Sequence, residues 1–156
     1  MIIRRAAAAL LAGCAATLTL AAPAQAAPPT VDLVRYYNGA KHWSTTGEVP
    51  GGYKREGAVT ILAVPAKGAV PIYGCMAGYT KGDQFLSHKS DCGRDGHTVL
   101  RREGFVYAGP RPGFTRPIYR CYWPKAQSHF FSIAADCENT ATTKVNAEFR
   151  IGYVKG

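Results

Sequence analysis

Four histidines, ten acidic residues and five cysteines are the side chains of this 156-residue chain best equipped for catalysis or metal binding. Nucleophilic hydrolysis needs a base within reach of a nucleophile, and a third group to orient the base. His42, His88, His97 and His129 could serve as that base, but no Gly-x-Ser-x-Gly segment presents a serine to any of them. Asp83, Asp91, Asp95, Asp136 and Glu138 are candidates for the paired carboxylates of glycoside hydrolysis. Asp91 and Asp136 each directly precede a cysteine, and Asp95 precedes a glycine, which are positions suited to turns. No His-x-x-x-His pair, calcium-binding loop or phosphate-cradling Gly-Lys-Ser/Thr segment occurs. His42 and His129 sit in alike contexts, His-Trp-Ser-Thr and His-Phe-Phe-Ser, and Gln84 holds the matching place in a third segment. An active site is needed once, so a side chain that recurs is expected to tie a turn to backbone. The chain is therefore expected not to be an enzyme, with no catalytic residue, no metal ligand and no cofactor.

The cysteines depend on where the chain resides. Arg4 and Arg5 precede an almost wholly apolar run, Ala6 to Ala22, and Ala24-Gln25-Ala26 follows as a small-residue cleavage pattern. Residues 1–26 are expected to be a signal peptide, with a secreted mature chain beginning at Ala27. Leu11-Ala12-Gly13-Cys14 also looks like a lipobox, so lipoprotein anchoring at Cys14 is the minority alternative; the apolar run continues past it. Four cysteines then remain, an even number in an exported chain, which reads as a disulfide framework. Removing Arg4 and Arg5 takes the formal charge from +9 to +7. That balance suits acidic partners, but the basic residues are scattered, and a repelling, soluble surface is the favoured reading. No basic-aromatic groove motif is present, so nucleic acid is not an expected partner.

The elements that must position these residues come in copies. Pro71-Ile72-Tyr73-Gly74-Cys75 with Phe85-Leu86-Ser87 to Cys92 returns as Pro117-Ile118-Tyr119-Arg120-Cys121 with Phe130-Phe131-Ser132 to Cys137. A degenerate copy precedes them, with Leu33-Val34-Arg35-Tyr36-Tyr37 and His42-Trp43-Ser44-Thr45, where Tyr36 stands in place of cysteine. Each full copy holds its own cysteine pair, which assigns Cys75–Cys92 and Cys121–Cys137. Short segments rich in β-branched and aromatic residues alternate with glycine-rich turns: Val31 to Tyr37, Val59 to Val64, Val70 to Cys75, Val99 to Tyr107, Ile118 to Trp123, Phe130 to Ile133 and Phe149 to Val154. Three copies of about 40 residues, each with room for four short strands, fit an all-β fold of the β-trefoil type in one domain, residues 27–156. The copies span about 31–69, 70–115 and 116–156. Leu33, Ile72 and Ile118 are expected to face inward, with Trp43, Phe85 and Phe130 forming a second three-fold layer.

Ile118-Tyr119-Arg120-Cys121-Tyr122, His129-Phe130-Phe131-Ser132, Gly52-Tyr53-Lys54-Arg55-Glu56-Gly57 and Gly104-Phe105-Val106-Tyr107-Ala108-Gly109 together resemble a secreted bacterial β-trefoil repeat family of unknown function. Its repeats read Tyr-Arg-x-Tyr, His-Phe-Tyr-Thr and Gly-Trp-x-x-Glu-Gly. The cysteines depart from the commonest form of that repeat. The resemblance implies a binding module, often carbohydrate-binding when joined to a hydrolase. Less closely, the chain resembles the small adaptor subunit of umbrella toxin particles, which implies a role joining secreted proteins in a toxin complex.

On this reading the chain is a secreted, non-enzymatic adaptor in an extracellular protein assembly, with lectin-like recognition of polysaccharide as the alternative. Candidate binding residues are Tyr37 and Trp123 at loop edges, and Arg111, Phe114 and Arg116 in a proline-stiffened loop where aromatics and arginine suit an interface. Tyr79 could stack on a sugar, with Asp83 and Gln84, or Asn38 and His42, supplying hydrogen bonds. The extended stretch from Ala27 to Asp32 could add as a strand to a partner.

Overall fold

The computed structural model describes residues 26–93 and 96–156. Residues 1–25 of the proposed leader, Cys14 among them, and Asp95 fall outside these residues. The described residues are all-β, with nine strands among them: β1 (Thr30–Tyr37), β2 (His42–Thr45), β3 (Lys54–Leu62), β4 (Ala69–Met76), β5 (Gln84–Ser87), β6 (Thr98–Tyr107), β7 (Arg116–Trp123), β8 (Ser128–Ser132) and β9 (Asn146–Val154). Among the described residues the only helical element is a single 3-10 turn, Pro124–Ala126, and no helix is long and apolar enough to cross a membrane.

All pairing is antiparallel, within one sheet. β1 pairs with β2 and β3, β4 with β5 and β6, and β7 with β8 and β9, giving three groups of three strands. In each group the third strand is long, so three strands stand where four short ones were expected. The long strands also meet one another: Leu62 pairs with Phe105, Tyr107 pairs with Tyr153, and the Lys155 N–H donates to the Thr60 carbonyl at 3.0 Å. β3, β6 and β9 therefore meet in a ring, through these single pairs and the hydrogen bond from the residue after β9.

The register explains the core. Successive residues of a strand face opposite sides. Leu33, Ile72 and Ile118 are all fully buried, and they pack with Ile61, Val106, Val154 and other apolar side chains at the centre. Trp43, Phe85 and Phe130 do not form a common layer with them. They stand opposite Tyr36, Cys75 and Cys121, on the other face of their hairpins from Leu86 and Phe131, which join the central core. Phe85 is buried with Cys75 and Cys92, Phe130 with Cys121 and Cys137, and half-buried Trp43 packs edge-on to Tyr53 with ring centres 5.9 Å apart. The disulfides are Cys75–Cys92 and Cys121–Cys137, as the repeated cysteines assign them. Each cross-links one hairpin group to its own following turn and completes a small satellite core.

The stretch expected as a free arm is largely used. Thr30, Val31 and Asp32 pair with Leu62, Ile61 and Thr60, and the Pro29 carbonyl accepts the Ala63 N–H at 2.9 Å. From Pro29 onward one edge of the stretch is therefore taken up by β3 and the residue after it.

Candidate functional site

β2, β5 and β8 gather at one end of the molecule, and polar side chains tie them in a cycle. Gln84 accepts the Ser44 N–H at 2.8 Å through Oε1 and donates Nε2 to the Ser44 carbonyl at 2.9 Å. Asp83 accepts the His129 backbone N–H through Oδ1 and contacts the ring Nδ1 through Oδ2, each at 2.8 Å. Ser128 Oγ accepts the His42 N–H at 2.8 Å and lies 3.2 Å from its ring Nδ1. All five side chains are buried, and buried polar groups of this kind must be paired or they destabilise the fold. The expectation that the recurring His/Gln position ties a turn to backbone describes Gln84 directly. At His42 and His129 the backbone tie runs the other way, from Ser128 and Asp83 to the histidine N–H. Asp83 and Gln84 are thereby unavailable to a sugar, correcting that assignment. Asn38 likewise spends its Oδ1 on the Ala40 and Lys41 N–H groups.

Two ion clusters flank this cycle. In one, Arg35 Nε lies 3.0 Å and His42 Nε2 3.5 Å from Glu56 Oε2. The Arg35–Glu56 contact is an ion pair without an aligned hydrogen bond. In the other, Arg120 Nε donates to Glu148 Oε2, and His129 Nε2 lies 3.4 Å from the same oxygen. The surroundings push the two histidines in opposite directions. Burial, reinforced by the Arg35 charge, lowers the His42 pKa from 6.5 to about 4. Burial also opposes charge on His129, but its hydrogen bonds to Asp83 and Glu148 outweigh that and raise its pKa. Burial works against ionised Glu148 too, yet His129 and Arg120 hold its carboxyl below the usual range.

The second cluster forms one side of an open cleft of about 220 Å³, lined by Tyr79, Phe85, His97, Arg120, His129 and Glu148, with Cys92 and Gly93 at its rim. Tyr79 is 64% exposed, and its ring centre is 5.3 Å from that of His97. Among the described residues no serine or threonine hydroxyl lines the cleft, and the sulfur at its rim is held in a disulfide. The arrangement offers a guanidinium, carboxylate, imidazoles and aromatic faces, which is the chemistry of binding polar or anionic groups.

The remaining sequence candidates fall in three places. Half-buried Tyr37 stacks on His42 with ring centres 4.6 Å apart, and half-buried Trp123 lies 6.3 Å from the same ring, so the fold brings these two together. Arg111 and Arg116 are exposed in their loop. Phe114 is not an exposed anchor: it is buried with Leu62 and Phe105 and meets Tyr107 edge-on, because the Arg111–Phe114 bridge turns its ring inward. Asp91 and Asp136 are turn formers, accepting the N–H groups of Gly93 and Glu138. Arg120, His97 and Glu148 were missed as site residues, although arginine at the same place in two copies, Arg35 and Arg120, could have flagged Arg120. No protein-family model, curated protein or solved structure matches this chain.

Proposed function

We propose that the chain is a secreted, non-catalytic β-trefoil whose three copies of one unit, near 31–69, 70–115 and 116–156, act together as an adaptor in an extracellular protein assembly. The ring in which β3, β6 and β9 meet, with three alike-paired groups around it, supports the trefoil. The observation that carries the binding role is how the acid–base residues are used. His42, His129, Asp83, Asp91 and Asp136 hold hairpins or turns together, while the exposed Arg111 and Arg116 and the Arg120 cleft face outward. An antibacterial toxin particle is the assembly to which the resemblance points. Affinity purification of the protein from culture supernatant, followed by mass spectrometry, tests the role. A stable co-purifying secreted partner is expected, and recovery as a lone monomer overturns it.

The exposed Tyr79 beside Arg120 and Glu148 favours a second reading, glycan recognition, because an aromatic face next to charged groups suits a sugar ring. Selective binding on a glycan array, with no partner protein recovered, would decide for that reading.

A further inference from the structure

A buried hydroxyl recurs at one ladder position in all three strand groups. Thr45 stands opposite Val34, Ser87 opposite Tyr73 and Ser132 opposite Tyr119. Each accepts, at 3.0 Å, the N–H of the residue two places on: Gly47, Lys89 and Ala134. Thr45 donates to the Glu103 carboxylate at 3.1 Å, and Ser132 donates to Glu138 Oε1 at 2.7 Å. Ser87, 7% exposed, has no carboxylate on its hydroxyl among the described residues.

The neighbouring guanidiniums show what is missing. Arg35 lies over the Phe130 ring at 5.2 Å, donates Nη1 to the Phe131 carbonyl at 3.0 Å, and grips Glu138 with Nη1 at 2.7 Å and Nη2 at 3.3 Å. Arg120 lies over Phe85 at 5.3 Å and donates Nη1 to the Leu86 carbonyl at 3.1 Å. Among the described residues its Nη groups meet no carboxylate.

The difference traces to two positions. Glu138 follows Cys137 with left-handed backbone, φ +60°, and from there its side chain reaches Arg35. The same turn after Cys92 carries Gly93, φ +77°, which has no side chain to send. Lys89 lies across that space: a Cβ on Gly93 would stand 2.8 Å from Lys89 Cδ and 3.6 Å from Nζ. The other junction has Ala134 at the matching place. One junction thus carries a carboxylate on its hydroxyl; among the described residues the other leaves the Ser87 hydroxyl without one, next to Lys89, with Arg120 engaging Glu148 through Nε alone.

We propose that Ser87, Arg120 and Lys89 form an open carboxylate seat that takes an acidic side chain of a partner protein. Charge-assisted hydrogen bonds to a guanidinium are the strong kind, and the matching seat shows the geometry filled. A protein side chain is favoured over an acidic sugar because both built-in occupants, Glu103 and Glu138, are glutamate side chains. The identity of the partner rests on the adaptor reading; the seat itself does not.

The test is NMR titration of the labelled protein with N-acetylglutamate amide, following Ser87, Arg120 and Phe85. Saturable shifts at these residues are expected, absent with the neutral glutamine analogue. Gly93→Glu should supply the carboxylate internally, as Glu138 does, and weaken binding more than about tenfold. Lys89→Ala, an exposed change, should fold normally and weaken binding about threefold. No saturable shift, equal shifts with the glutamine analogue, or tighter binding of an oligogalacturonate than of a glutamate-containing peptide would each overturn the proposal. The titration needs no partner, so its failure is separate from failure of the adaptor role, which the supernatant purification decides.

Discussion

The carboxylate of Asp83 holds His129 at two points, the backbone N–H and the ring Nδ1, each at 2.8 Å. Both side chains are buried, and the pair joins β5 to β8. Asp83→Ala leaves the imidazole without its closest counter-charge, and removing one member of a buried pair costs about 3–5 kcal/mol. Asp91→Ala, at an exposed turn with one accepted N–H, should cost about 1 kcal/mol. Urea unfolding of the two variants compares them directly, and equal losses would rule out a structural role for the pair. Because the folded His129 pKa is raised, its stabilisation is complete below the unfolded value of 6.5 and is lost as pH rises through the folded value.

His42 behaves with the opposite sign. Its folded pKa of about 4 lies below 6.5, so between these values the unfolded chain takes up a proton that the folded chain does not. Stability from this group therefore falls as pH falls through that window, by about 3 kcal/mol in all. His42→Gln places at this site the residue that Gln84 already provides in the second group. The variant should lose less stability than the native chain between pH 6.5 and 4, as read from thermal or urea unfolding across that range. Parallel pH profiles for the two proteins would contradict the assignment.

The two disulfides should act independently. Cys75–Cys92 spans 17 residues and Cys121–Cys137 spans 16, and each belongs to its own buried cluster. Loops of this size correspond to about 3 kcal/mol each in the chain-entropy account. Serine replacement of either pair should cost about that amount, and the costs should add when both are replaced. A strongly non-additive double loss, measured by denaturant unfolding, would show that the satellite cores are coupled.

The loop between β6 and β7 separates a packing residue from exposed ones. Phe114→Ala removes a buried ring from the Leu62–Phe105 cluster and should destabilise by about 3–5 kcal/mol. Arg111→Ala and Arg116→Ala should leave stability within about 0.5 kcal/mol, since both side chains are exposed. If the loop meets the partner, the arginine variants lower partner recovery at unchanged melting temperature. Unchanged recovery would take the loop out of the interface.

The sequence made the central core legible because Leu33, Ile72 and Ile118 fall at the same place in copies with the same local pattern. It concealed the first halves of β3 and β9, but not of β6, which the segment Val99 to Tyr107 covers. Lys54 to Glu56 and Asn146 to Arg150 are polar or exposed, so hydrophobic patterning starts these strands late, at Val59 and Phe149, although backbone pairing with β1 and β7 begins earlier. Bulges add a second difficulty. The β4–β6 and β7–β9 ladders shift register twice and the β1–β3 ladder once. Gly104 therefore stands opposite Ile72 where Val59 stands opposite Leu33, so Gly52–Gly57 and Gly104–Gly109, alike as motifs, are not opposite equivalent residues. The Arg120 cleft was hidden for a different reason. Its arginine lies in a visible motif, but Phe85 and His97 come from the second strand group and Glu148 from the third, and only three-dimensional closure brings the two groups together.

The cycle through Ser44, Gln84, Asp83, His129, Ser128 and His42 joins residues up to 86 positions apart, and its last links come from β8. A nascent or truncated chain that stops before Ser128 holds the first two hairpin groups with His42 and Asp83 still awaiting their counterparts. Such long-range closure delays the productive collapse until nearly the whole polypeptide is present. A protein wired in this way stays pliable until its last third has emerged, and locks only then.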